Sequence, residues 1–84
     1  MSKAMIAEKL HDRTILELTS SIKHRIHSRT HGRVWNLHVE LNGQAVILRG
    51  RTSTYYTKQL AQHGALEILN DKQVVNDIEV RKVA

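Results

Sequence analysis

The chain has 84 residues, no cysteine, no proline and no phenylalanine, and a formal net charge of +5 from thirteen Lys and Arg against eight Asp and Glu. One small domain is expected, since a chain this short buries roughly 60–65% of its unfolded surface, too little for a deep cleft between domains. Disulfides and thiolate metal sites are excluded, and the basic balance favours anionic partners, although a charge of this size also serves solubility alone.

The first residues, up to about residue 11, carry no consistent pattern and read as a tail or a frayed helical turn. They lack the apolar run of a signal peptide, and nowhere does the sequence approach the ~20 apolar residues of a membrane span. A cytoplasmic location follows as the expectation for the chain as written, with an envelope or periplasmic one if a leader has been removed.

A single domain is expected over residues 12–84. Asp12 can cap a first helix over about residues 12–29. Ile15, Leu18, Ile22 and Ile26 recur at spacings of three and four and form its buried stripe, and Gly32 is a stop signal just beyond it. Trp35 stands at the start of a first strand. Leu37, Val39 and Leu41 alternate with His38 and Glu40, the pattern of a strand with one buried face. Asn42-Gly43 is the dipeptide of a tight type I′ hairpin turn. A second strand follows, with Val46 and Leu48 inward, Ile47 on the other face and Gly50 closing it. Arg51 to Thr54 reads as a polar loop in which Ser53 or Thr54 caps a second helix.

That helix is expected over Tyr55 to Asn70, with Leu60, Ala61, Ala65, Ile68 and Leu69 on its buried side and one of Tyr55 and Tyr56 packed inward. Gly64 in its middle costs about 1 kcal/mol relative to Ala and suggests a close helix–sheet contact. Val74, Val75, Ile78 and Val80 supply a last strand, with Asn76-Asp77 as an irregularity within or before it. The element order is αββαβ. The fold class is α+β: a two-layer sandwich with a three-stranded mixed sheet and two helices on one face.

Taken together, Val39 to Leu41, Asn42-Gly43, Val46 to Leu48 with Gly50, Ser53, then Lys58, Ala61 and Ala65, and finally Val74-Val75-Asn76-Asp77-Ile78-Glu79-Val80 resemble a single copy of the BON domain, the family named after bacterial osmotic-shock and nodulation proteins. The resemblance spans about residues 12–81. Lys72-Gln73-Val74 departs from the Gly-Val pair that often precedes the family's last strand. The resemblance implies a non-enzymatic module that associates with phospholipid surfaces or with partner proteins; it supplies no catalytic residues and no cofactor.

Three groups of residues are candidates for function. Lys23, Arg25, Arg29 and Arg33 cluster near the end of the first helix, with Trp35 just after. They could form an anion- or lipid-surface patch with Trp35 as an interfacial anchor, although cations at a helix C-terminus also complement its dipole, and Trp35 could instead cover the edge of the core. Arg49 and Arg51 could extend the patch. His24, His27 and His31 could share one exposed helical face; no carboxylate or cysteine nearby completes a metal sphere, so no metal is expected. No P-loop, Gly-x-x-Gly clamp, aromatic RNA-binding strand or nucleophile elbow is present, and an enzyme is not expected. The partners expected are an anionic membrane surface or another protein, with the chain a monomer or weak homo-oligomer. A basic nucleic-acid-binding domain and a structural self-association unit are the alternatives.

Overall fold

The computed structural model describes residues 3–69 and 73–82, with side chains from residue 14 onward. The elements run in the expected order: α1 (Lys3–Thr30), β1 (Trp35–Asn42), β2 (Ala45–Thr52), α2 (Tyr55–Leu66) and β3 (Gln73–Val80). The sheet has the order β1-β2-β3, with β1 antiparallel and β3 parallel to the central β2. The parallel pair is possible because α2 carries the chain back across the sheet.

α1 begins at Lys3, so Asp12 lies within the helix and not at its start. The stretch is rich in Ala, Lys, Glu and Leu and has no Gly or Pro, and such residues propagate a helix without needing an apolar stripe. Ile22 and Ile26 are fully buried, while Ile15 and Leu18 are partly so. The helix stops in a Schellman arrangement. Gly32 N–H bonds back to the His27 carbonyl at 2.9 Å and His31 N–H to the Ser28 carbonyl at 3.4 Å. His31 occupies the left-handed position, with φ 54°, where glycine is the usual residue.

The hairpin turn differs from the expected one. Asn42 pairs with Ala45, so the two central residues are Gly43 and Gln44. Only Gly43 has positive φ, at 63°. That is the type II′ requirement, a glycine at the first central position. β2 does not close at Gly50 but runs on through Arg51 to Thr52. A bulge interrupts the β1–β2 register between Trp35 and His38, with Asn36 in the left-handed region at φ 55°. Gly50 lies against this bulge. A Cβ there would meet Val34 Cγ1 at 2.9 Å and the Trp35 carbonyl oxygen at 3.0 Å, so only glycine lets the two strands close.

Thr54 is the N-cap of α2, and its hydroxyl accepts from Thr57 N–H at 3.1 Å. α2 ends at Leu66, short of the expected Asn70; Asn70-Asp71 lie outside the described residues. Ile68 and Leu69 follow in a turn whose N–H groups bond the Ala65 carbonyl, and Leu69 is buried there. Gly64 marks a contact between helices, not between helix and sheet: its position lies 3.4 Å from Ile26 Cα, measured from where a Cβ would stand. β3 is continuous through Asn76 and Asp77, with no irregularity in register. Asn76 turns toward α2, donating to the Lys58 carbonyl at 2.8 Å and accepting from Ile78 N–H at 3.3 Å.

The core lies between the layers. Leu37, Val46, Leu48 and Ile78 from the sheet meet Ile22 and Ile26 of α1 and Ala61 and Ala65 of α2. The buried threonine hydroxyls are satisfied: Thr30 donates to the Ile26 carbonyl at 2.7 Å and Thr52 to the Arg33 carbonyl at 2.9 Å. No buried side-chain polar atom lacks a partner among the described residues.

Candidate functional site at the cationic end of the sheet

Because β1 runs against β2, and β3 runs with it, the start of β1 and the ends of β2 and β3 meet at one end of the sheet. Trp35 stands opposite Arg51, and Arg51 opposite Glu79, in one row across the three strands. Directly opposite side chains lie roughly 4.5–5.5 Å apart at Cβ on a shared face, here the face away from the helices. Trp35 is 51% exposed, so it does not act chiefly as a cover for the core.

Thr52 ties this end together. Its hydroxyl holds the Arg33 carbonyl and its own carbonyl accepts from Arg81 N–H at 2.8 Å. Arg33 and Arg81 are thereby fixed beside the Trp35 row, and Lys82 follows against Ser53, Thr54 and Tyr55. Tyr55 and Tyr56 are both exposed, at 68% and 69%; neither packs inward, because the buried side of α2 is taken by Thr57, Ala61, Gly64 and Ala65.

The five predicted patch residues are divided by the fold. Arg33 and Trp35 sit at the cationic end. Arg25 and Arg29 face α2 and converge on Glu67 at its C-cap. Arg25 Nη1 lies 3.2 Å from Glu67 Oε2, Arg29 Nε also lies 3.2 Å from Oε2, and Arg29 Nη2 closes a second contact to Oε1. The hydrogen bonding of Arg29, then the charges of Arg29 and Arg25, hold the Glu67 carboxyl below its usual range. These two arginines are therefore largely occupied. Lys23 lies on the opposite flank of α1, facing the start of β1.

The expected histidine face is also divided. His24 and His31 border one groove with Arg25, Ser28 and Arg29. His27 lies on the other flank with Lys23, its ring against Gly32. No group of three or more His, Asp or Glu able to hold a metal occurs among the described residues.

The open face of the sheet carries a charge ladder. Arg49 reaches Glu40 at 3.6 Å on β1 and Asp77 at 3.8 Å on β3. Glu79 pairs with Arg81, whose hydrogen bond and charge, together with the charge of Arg51, hold its carboxyl low. Two arginines thus face three carboxylates in β1–β3, so this face is not a cationic platform. Below the Arg49 row, Ile47 is half-buried and Val75 is 40% exposed.

Sequence reasoning named Arg51 as a possible extension of the patch without its place opposite Trp35, and it did not place Lys82 or Tyr55 at this end. Register alone would have placed Arg51, and register turned on where the hairpin closes. No helix among the described residues is long and apolar enough to cross a membrane. Compared with known protein-family models, with curated proteins and with solved structures, this chain finds no match.

Proposed function

We propose that this chain is a non-enzymatic binding module that associates with anionic phospholipid surfaces through the Trp35 end of its sheet. The observation that carries the reading is the half-exposed Trp35 set opposite Arg51. Tryptophan favours the boundary between water and apolar phase. Arg33 and Lys82 lie at the same end with no ion pair among the described residues, while Arg51 shares Glu79 with Arg81. Each cation close to an anionic membrane contributes about 1 kcal/mol, so Arg33 and Lys82 together supply about 2 kcal/mol of salt-sensitive attraction. The resemblance to BON domains points the same way.

Trp35 is the only tryptophan, so its fluorescence has one source. Titration with phosphatidylglycerol-containing vesicles should shift its emission to the blue, and part of the shift should survive moderate salt. Neutral phosphatidylcholine vesicles should leave it unchanged. Absence of a shift with either vesicle refutes membrane association through this end.

A second reading, a protein partner or a second copy on the open face of the sheet, draws on exposed Val75 beside half-buried Ile47. Sedimentation at two concentrations tests the second-copy form, and a strict monomer counts against it. Nucleic acid is less well supported, because Trp35 is the only Trp, Tyr or Phe in the three strands, so the sheet offers no row of rings for successive bases to stack on.

A further inference from the structure

Most arginines in the described part of the chain are matched by a carboxylate: Arg25 and Arg29 by Glu67, Arg49 by Glu40 and Asp77, Arg81 by Glu79. A groove beside α1 departs from this pattern. It runs between the last turns of α1 and the start of β1, encloses about 380 Å³, and is bordered by Lys23, His27, Asn36 and His38 over a floor that includes Val34 and Leu37. That volume is near the lower end for small-ligand sites.

We infer that this groove is a binding site for a phosphate ester. Lys23 supplies a permanent cation, the His27 imidazole supplies an N–H donor, and Asn36 supplies an amide donor. No carboxylate borders the groove. The remaining polar lining residue, Thr30, has its hydroxyl committed to the Ile26 carbonyl. A compact anion with several acceptor oxygens is the ligand that such a set of donors satisfies.

The placement of the donors follows from two backbone features. The bulge at Asn36, with its left-handed φ of 55°, shifts the strand by one residue between Trp35 and His38. The Schellman turn brings Gly32 under the His27 ring: a Cβ on Gly32 would stand 2.9 Å from His27 Cε1. The absence of that Cβ leaves room for the ring where it borders the groove. The neighbours of His38 on the open face are Arg49 opposite and Glu40 two residues along, and these two are paired with each other.

The phosphate could belong to a lipid headgroup or to a free metabolite. The site does not require Trp35 to enter a membrane, so it can fail while the membrane reading holds, and the reverse.

The test is a titration of the ¹⁵N-labelled full chain with glycerol 3-phosphate, against sodium chloride at matched ionic strength. Saturable amide shifts confined to Lys23, His27, Asn36, Leu37 and His38 are expected with the phosphate alone. Lys23→Glu should weaken the affinity at least tenfold, Lys23→Arg should retain it within about threefold, and His27→Gln should weaken it severalfold. These side chains are exposed, so the variants should fold; unchanged spectra elsewhere would verify that. Arg25→Gln, on the far flank, should leave the affinity unchanged. Shifts that track ionic strength, or an unaltered affinity in Lys23→Glu, overturn the inference. A second arm assigns the source. Vesicles bearing phosphatidic acid are compared with phosphatidylglycerol vesicles of equal surface charge. A Lys23-dependent preference for phosphatidic acid identifies a lipid headgroup, and saturable glycerol phosphate binding without that preference identifies a free ester.

Discussion

Replacing Gly50 by alanine should destabilise the protein by about 3 kcal/mol. The new Cβ would stand 2.9 Å from Val34 Cγ1 and 3.0 Å from the Trp35 carbonyl oxygen. The side-chain neighbour can yield, but the carbonyl belongs to the strand backbone. Overpacking of this kind costs about 1–3 kcal/mol. A further 1–3 kcal/mol is typical of a non-glycine residue in a sparsely populated backbone region, here φ 159°. Gly43→Ala is the internal control. It also has positive φ, at 63°, but meets no atom within 4 Å, so only the left-handed cost of about 1–2 kcal/mol applies. The difference between the two variants isolates the steric part. Urea unfolding should be followed by helical circular dichroism, because the Trp35 signal would report the local disturbance as well as unfolding. At about 0.05–0.15 kcal/mol per residue the whole chain has about 4–13 kcal/mol of stability, so the effect is well within measurement. Adding Val34→Ala to Gly50→Ala should recover less than half of the loss, since the carbonyl contact remains. If Gly50→Ala lies within about 0.5 kcal/mol of Gly43→Ala, the reasoning about strand closure at the bulge is wrong.

Three other outcomes are expected. His31→Gly should stabilise the chain by about 0.5–1 kcal/mol, as a C′ position in the left-handed region suits glycine; a loss of stability in the same urea assay would contradict the cap geometry. Gly64→Ala should stabilise by up to about 1 kcal/mol, because helix propensity improves and the added Cβ meets α1 at ordinary contact distance, whereas Gly64→Leu should destabilise by forcing the helices apart. Glu67 has a folded-state pKa below its unfolded value, so its contribution is present above the unfolded value and is lost as pH falls through the folded one. Glu67→Gln should therefore flatten the acid limb of stability, with urea midpoints at pH 7 and pH 3 closer together than in the parent chain.

The layers of the fold were legible because one face of each element is buried. Leu37, Val46, Leu48 and Ile78 declare themselves by alternation, and Ile22 and Ile26 by helical spacing. The register was not, because Asn42-Gly43 and Gly43-Gln44 are both acceptable hairpin turns. A turn centred on the first pair would have set Trp35 opposite Gly50. The observed turn, together with the bulge at Asn36, sets it opposite Arg51. The composition of the candidate site thus depended on a choice between two neighbouring dipeptides. The commitment of Arg25 and Arg29 to Glu67 was illegible for another reason. The partners lie 42 and 38 residues apart and meet only because α1 and α2 pack side by side, with Gly64 at their contact. The start of α1 at Lys3 was missed because propensity without an apolar stripe leaves little pattern to read.

The parallel pairing of β3 with β2 across α2 bears on how fast this chain reaches its native state. The two-residue turn lets β1 and β2 find each other on the 1–10 μs scale of hairpins. β3 can join only after the connection through α2 has closed, and closure of a longer segment costs entropy before any strand contact offsets it. The rate-limiting barrier is therefore expected at the seating of α2 and β3 against the hairpin. With no proline in the sequence, the isomerisation step of tens of seconds is absent from its refolding.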